Sequence, residues 1–363
     1  MIASSKDSFG NPSDQLEQIH GQTVFVDIHA HPSGICWPNV PRIGSDELDR
    51  YRRGLIDLVV CNLVSDATYN CLKPDSSGEY PPGPGANFSG KYRPAPGEVL
   101  AFDLDRLSAI LKTIEDGAAV LADNPAAVRA AKLDGKIALM PALEGADGLE
   151  GSINNLHELH RRGLRLLQLV HMRANEVGHI QTFPYSPGGL TPFGREVVRE
   201  CNELGIVIDL AHANTETILD TLAVSAHPVI CSHTGVQRLY GGHEQIGYDR
   251  FLTDKEIEAI AAKGGVIGMI LVAEWMPRLS DLLRHCDHVR SLVGIDHLGI
   301  GSDLLRNMVG ASQPEYMAEF GVEANFRAIA DGLLTHGYSA EEVGKVMGGN
   351  FFRVWEQVGE RTS

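Results

Sequence analysis

The sequence predicts a (β/α)8 barrel of the TIM type, and three observations carry that reading. Eight short, nearly continuous apolar runs recur along the 363 residues, as strands of a parallel sheet buried on both faces should. Amphipathic stretches with helix-start signals lie between them. Most of the apolar runs end in His, Glu or Asp, and the C-terminal ends of the strands are where such a barrel places its chemistry. A doubly wound open sheet is the runner-up for the same alternation.

In chain order the strands are expected at 23–29, 56–64, 137–143, 164–170, 206–211, 228–232, 265–271 and 297–301. Residues 1–22 read as a short leader onto a single barrel spanning 23–363. Helical spacing runs through 103–123, where Leu104, Leu107, Ile110, Leu111 and Ile114 share a face. Thr191-Pro192 opens the next clear helix, with Thr as N-cap and Pro at the first helical position. Asn214-Thr215-Glu216 opens another. Thr253 to Glu256 and Ser339 to Glu342 both read as capping boxes. One stretch breaks the rhythm. Residues 65–102 are rich in Pro and Gly and read as an ordered excursion on the catalytic face after the second strand.

Composition narrows the function. A net charge of −16 argues against nucleic acid and anionic membrane as partners. No run approaches the apolar length of a membrane span, and the polar start has no apolar signal core. The six cysteines are scattered, and Cys61, Cys201 and Cys231 fall in apolar patterns, which suits free thiols in a reducing, cytoplasmic setting. Cys36 and Cys71, in loops, are the one pair placed to bond.

The chemistry begins at His29 and His31, in Val-Phe-Val-Asp-Ile-His-Ala-His. Residues i and i+2 of a strand share a face, so both imidazoles can grip one metal ion. Later runs end at Glu144, His171, His212, His233 and Asp303. A single residue of this kind is ordinarily a hydrogen-bonded loop residue, but six strand ends converging on one rim point to a metal site. Imidazole and carboxylate without thiolate suit zinc first, with manganese, iron or cobalt as alternatives. The ligands suffice for two ions. Glu144 is the candidate bridge, His29 and His31 completing one ion, His212 and His233 the other. Two such ions, roughly 3.5–4 Å apart, acidify a shared water into a hydroxide nucleophile.

Leu-Glu-Gly at 143–145, Leu-Val-His at 169–171, Asp-Leu-Ala-His at 209–212, Ser-His-Thr at 232–234, Gly-Ser-Asp at 301–303 and Gly-Asn-Phe-Phe-Arg-Val at 349–354 stand in an order and spacing that resembles the renal (membrane) dipeptidase family of the amidohydrolase superfamily. The resemblance runs from residue 23 to about 358. It implies a dinuclear metallo-dipeptidase, some relatives accepting a D-residue at the C-terminal side, and a homodimer. It also implies that the bridging hydroxide attacks the amide carbonyl while His171 hydrogen-bonds the developing oxyanion. Asp303 would carry the proton to the leaving amine. Arg250 would bind the substrate carboxylate, with Arg238 as its competitor. Two departures stand out. The family has His-x-Asp where this chain has His29-x-His31, and Asn where this chain has Phe251. The alternative reading in the same chemistry is hydrolysis of another small amide, an N-acyl amino acid or a lactam.

Other histidines, His157 with His160 and His285 with His288, read as surface residues. A mononuclear deaminase would place Glu three residues after His212, whereas Glu216 is four away. A non-catalytic barrel would have lost a ligand or Asp303.

Overall fold

A computed structural model describes residues 14–35, 40–70, 93–181, 187–240, 250–272, 275–303 and 325–360. All eight expected strands are present: β1 (Val26–Ala30), β2 (Leu58–Val64), β4 (Ala138–Glu144), β5 (Leu166–Gln168), β6 (Val207–Asp209), β7 (Ile230–Thr234), β8 (Val266–Met269) and β9 (Leu298–Ile300). They lie in one parallel sheet in that order, each beside the next. The two ends meet. Asp303 N–H donates to the His29 carbonyl at 2.9 Å. The buried Asp27 carboxylate accepts from Ser302 N–H at 2.9 Å and from Ser302 Oγ at 2.5 Å. A side chain thus completes the seam that backbone pairing alone leaves thin.

A ninth strand, β3 (Val120–Leu121), was not legible in the sequence. It pairs with Ala138 and Leu139, whereas β5 pairs only with 142–144. Two residues suffice because β3 covers just the part of β4 that β5 does not reach.

Alternate residues of the strands fill the barrel. Val26, Ile28, Leu58, Val60, Met140, Leu166, Val207, Ile230 and Val266 form one apolar cluster with Phe351, Phe352 and Trp355 of the C-terminal helix Asn350–Gly359. That helix plugs the end of the barrel opposite the catalytic rim. The larger cluster packs the outer faces of the strands against the surrounding helices. The helix starts follow the sequence closely. Thr191, Asn214, Thr253 and Ser339 each cap a helix with their side chains, the last two as full capping boxes.

Three expectations need amendment. Residues 14–22 form a helix (Asp14–Gln22) with Leu16 and Ile19 buried, so this part of the leader belongs to the core. The excursion after β2 is not all loop, because helices Ala67–Asn70 and Glu98–Glu115 occupy its two ends; its middle, 71–92, lies outside the described residues, as do Cys36 and Cys71. His285 is not a surface residue. It is buried and accepts the Val236 N–H at 2.9 Å through Nδ1. Cys61, Cys201, Cys231 and Cys286 are buried free thiols. No helix among the described residues is long and apolar enough to cross a membrane.

Candidate metal centre

Glu144 ends β4 with its carboxylate buried at the centre of the rim. Oε1 lies 3.5 Å from Nε2 of His29, 3.3 Å from Nε2 of His171, and 3.5 Å from Nε2 of both His212 and His233. Oε2 lies 3.4 Å from Nε2 of His31. The two oxygens therefore face different histidines. Asp303 joins the His31 side, with Oδ1 3.4 Å from His31 Nε2 and 3.8 Å from His29 Nε2. On the other side, His212 Nε2 and His233 Nε2 are 3.1 Å apart.

Among the described residues three groups could hold an ion, and two of them share Glu144: His29, His31, Glu144 and Asp303, and Glu144, His212 and His233; the third is His29, Asp209 and His233. Ligand atoms sharing one tetrahedral ion at bonds of about 2.0–2.1 Å sit about 3.3 Å apart. The spacings of 3.1–3.5 Å in the second set, and of 3.4 Å from His31 to its two carboxylates, fit that requirement. His29 Nε2 is buried with no hydrogen-bond partner among the described residues, as suits a nitrogen placed to meet a cation.

The far side of each ring is also held. His31 Nδ1 donates to the Asn62 carbonyl at 2.9 Å, leaving Nε2 as the lone-pair nitrogen. Ser232 Oγ lies 3.0 Å from His29 Nδ1 and 2.8 Å from His233 Nδ1, so one hydroxyl steadies a ligand in each set. Gly301 permits this crowding. A Cβ there would come within 2.1 Å of the Ser232 carbonyl and 3.2 Å of His29 Cβ. His212 and Asp303 both take the left-handed backbone conformation, at φ 66° and 54°. For residues other than glycine that is costly, and such strain collects at functional sites.

Electrostatics suits cation binding. Burial pushes the Glu144 carboxyl upward, but the imidazoles of His171 and His29 outweigh it and hold the group well below the usual carboxylate range. Burial, reinforced by the Arg250 guanidinium, holds His212 and His233 well below the usual imidazole range, so both present lone pairs. His171 goes the other way. Burial works against its charge, yet Glu144 and Asp66 raise it to about 9.

Of the two candidate arginines, the structure brings Arg250 to the site and leaves Arg238 outside. Arg250 is buried, and its Nη2 donates to His212 Nε2 at 3.2 Å and to the His233 carbonyl at 3.1 Å. Its Nη1 is buried without a partner among the described residues. Arg238 is exposed and pairs with Asp254. Phe251 lies buried against Tyr240, Trp275 and His285, where it wedges the segment carrying Arg250 into the core.

Every site residue read from the sequence except Arg238 thus converges on one rim. Four that hold this rim were missed: Asn62, Asp66, Asp209 and Ser232. Asp66 binds His171, and Asp209 groups with His29 and His233. Asp66 has a signal, a polar residue just past the end of the second apolar run.

The membrane dipeptidase family model (peptidase family M19) matches residues 15–363. Dipeptidase tcpJ of Claviceps purpurea is 30% identical over 232 residues, covering 62% of this chain and 52% of that protein. Mouse dipeptidase 3 is 28% identical over 235 residues, covering 61% of this chain and 45% of that protein. The chain therefore spans about half the length of these curated relatives. A metallopeptidase from Rhodobacter sphaeroides, solved with a phosphinate mimic of the dipeptide L-Ala-D-Ala, shares the fold at TM-score 0.74 and 23% identity, over 93% of this chain and 99% of that one. From its motifs, its barrel and a match that runs through nearly all of its length, the chain belongs to the membrane dipeptidase family, peptidase family M19.

Proposed function

We propose that this chain is a dipeptidase that uses two divalent metal ions, zinc first among them, with manganese, iron or cobalt as alternatives. The observation that carries the proposal is the place of Glu144 in both ligand sets, with Oε2 against His31 and Oε1 against His29, His212 and His233. His29, His31, Glu144 and Asp303 would hold one ion, and Glu144, His212 and His233 the other. Bound cations would supply Lewis acidity to the scissile carbonyl and lower the pKa of a bound water.

The chain's own groups do the rest. Asp303, partly exposed at the mouth and 3.4 Å from His31, can accept a proton from the attacking water and deliver it to the leaving amine. His171, held from behind and facing Glu144, is the donor for the developing oxyanion. Arg250 has an Nη1 without a partner among the described residues, and its planar fork suits the C-terminal carboxylate of a dipeptide. The phosphinate dipeptide mimic bound by the structural relative supports that substrate class.

The test is a panel of L,L-dipeptides, L,D-dipeptides, N-acyl amino acids and lactams, run on protein reconstituted with each metal. Free dipeptides should be the best substrates. Preference for an N-acyl amino acid or a lactam would replace the dipeptidase reading with a different amidase.

A further inference from the structure

We infer that Asp66 is the positioning residue of the oxyanion donor, gripping His171 from behind so that its Nε2 edge faces the reacting carbonyl. The inference rests on the donor role proposed for His171.

Asp66 lies just past β2, on a different strand from His171, and is fully buried. Its Oδ1 is 2.8 Å from His171 Nδ1, and its Oδ2 accepts the Met172 N–H at 3.1 Å. One carboxylate therefore fixes both the ring and the backbone beside it. An ionised carboxylate only accepts, so the nitrogen facing it must carry a hydrogen. The opposite edge, Nε2, points at Glu144 Oε1 from 3.3 Å. A ring set between two carboxylates is turned in one direction, with its second donor aimed into the site.

The surroundings keep that grip from relaxing. The Asp66 carbonyl accepts the Tyr69 N–H at 3.0 Å, which folds the chain back at the strand end. Arg173, two residues after His171, stacks on the Tyr69 ring at 3.8 Å and pairs with the buried Asp147. Arg173 thus ties the turn after β2 to the turn after β5, the two segments that must stay in register for Asp66 to meet His171. An interaction of this kind acts through the donor it orients. Partners behind a metal-ligating histidine are typically worth roughly 10–100-fold in metal affinity or activity, and an effect of that order is expected here.

The experiment is a double-mutant cycle on metal-loaded protein with Asp66→Ala, Asp66→Asn, His171→Ala and the Asp66→Ala/His171→Ala pair. Metal content, kcat, KM and affinity for a phosphinate dipeptide mimic are read together. Asp66→Ala should lower kcat about 10–100-fold with KM within threefold, and should weaken the phosphinate in parallel. Asp66→Asn, which keeps an acceptor, should recover part of the loss. In the His171→Ala background, Asp66→Ala should add less than threefold. An equal loss from Asp66→Ala in both backgrounds would overturn the inference, as would a variant that only melts earlier. The Nδ1–H resonance of His171 gives a second readout, expected in the parent and absent in Asp66→Ala. If His171→Ala itself costs little, the donor role of His171 fails, while that resonance still decides whether Asp66 holds the ring.

Discussion

At the scale of single residues, Glu144 is the group on which both ligand sets depend, because each loses a negative charge with it. Glu144→Gln is expected to drop metal content to at most one ion per chain by elemental analysis and to abolish turnover. Asp303→Asn should behave differently. His29, His31 and Glu144 remain as ligands, so both ions should stay while kcat falls by roughly 10²–10⁴-fold. A nearly fully active Asp303→Asn enzyme would remove the proton-carrier role. Arg250→Met should raise KM for free dipeptides far more than for C-terminally amidated ones; equal effects would end the carboxylate-reading role. His31 sets this chain apart from its family. With Nδ1 committed to the Asn62 carbonyl, it brings an imidazole where a carboxylate is usual, leaving Asp303 to supply the second negative charge of that set.

At the scale of elements, long-range contacts decide what local pattern does not. The helix Glu98–Glu115 starts five residues before the apolar periodicity because Glu150, far along the chain, accepts from the N–H groups of Gly97 at 2.6 Å and Val99 at 3.1 Å. A cap supplied from fifty residues away leaves no trace near the helix start, whereas the local caps Thr191, Asn214, Thr253 and Ser339 were all legible. Glu150→Ala should therefore cost about 1 kcal/mol in urea unfolding, the typical worth of a helix cap. His285 shows the same limit. Its helix looks polar there, yet the ring is buried beneath Phe251 and takes the Val236 N–H. Burial, with Arg284 nearby, pushes His285 down to about 4, below its ordinary 6.5. Between those values the unfolded chain binds the proton and the folded one does not, so stability rises with pH across that window and this contribution is complete above it. Urea midpoints compared at pH 5 and pH 7.5 should show a smaller difference in His285→Gln than in the parent.

At the scale of the whole molecule, the barrel was legible because its rule is repetitive: eight apolar runs, each followed by an amphipathic helix, with polar residues where runs end. The ligands His29, His31, Glu144, His212 and His233 could be read for the same reason, since each sits at the end of such a run. What the pattern could not carry is contact between distant segments. β3 exists because β5 begins late beside β4. Asp66 matters through a histidine on another strand. Arg250 and Arg238 look alike in sequence and differ because Phe251 anchors one of them in the core while Asp254 holds the other at the surface.

The central claim is a two-metal centre bridged by Glu144. Anomalous diffraction at the absorption edge of the bound metal, on crystals of the reconstituted protein, tests it most directly. The account predicts two peaks roughly 3.5–4 Å apart, one among His29, His31 and Asp303 and one beside His212 and His233, with Glu144 between them. A single peak, or two peaks that persist unchanged in Glu144→Gln, would contradict it.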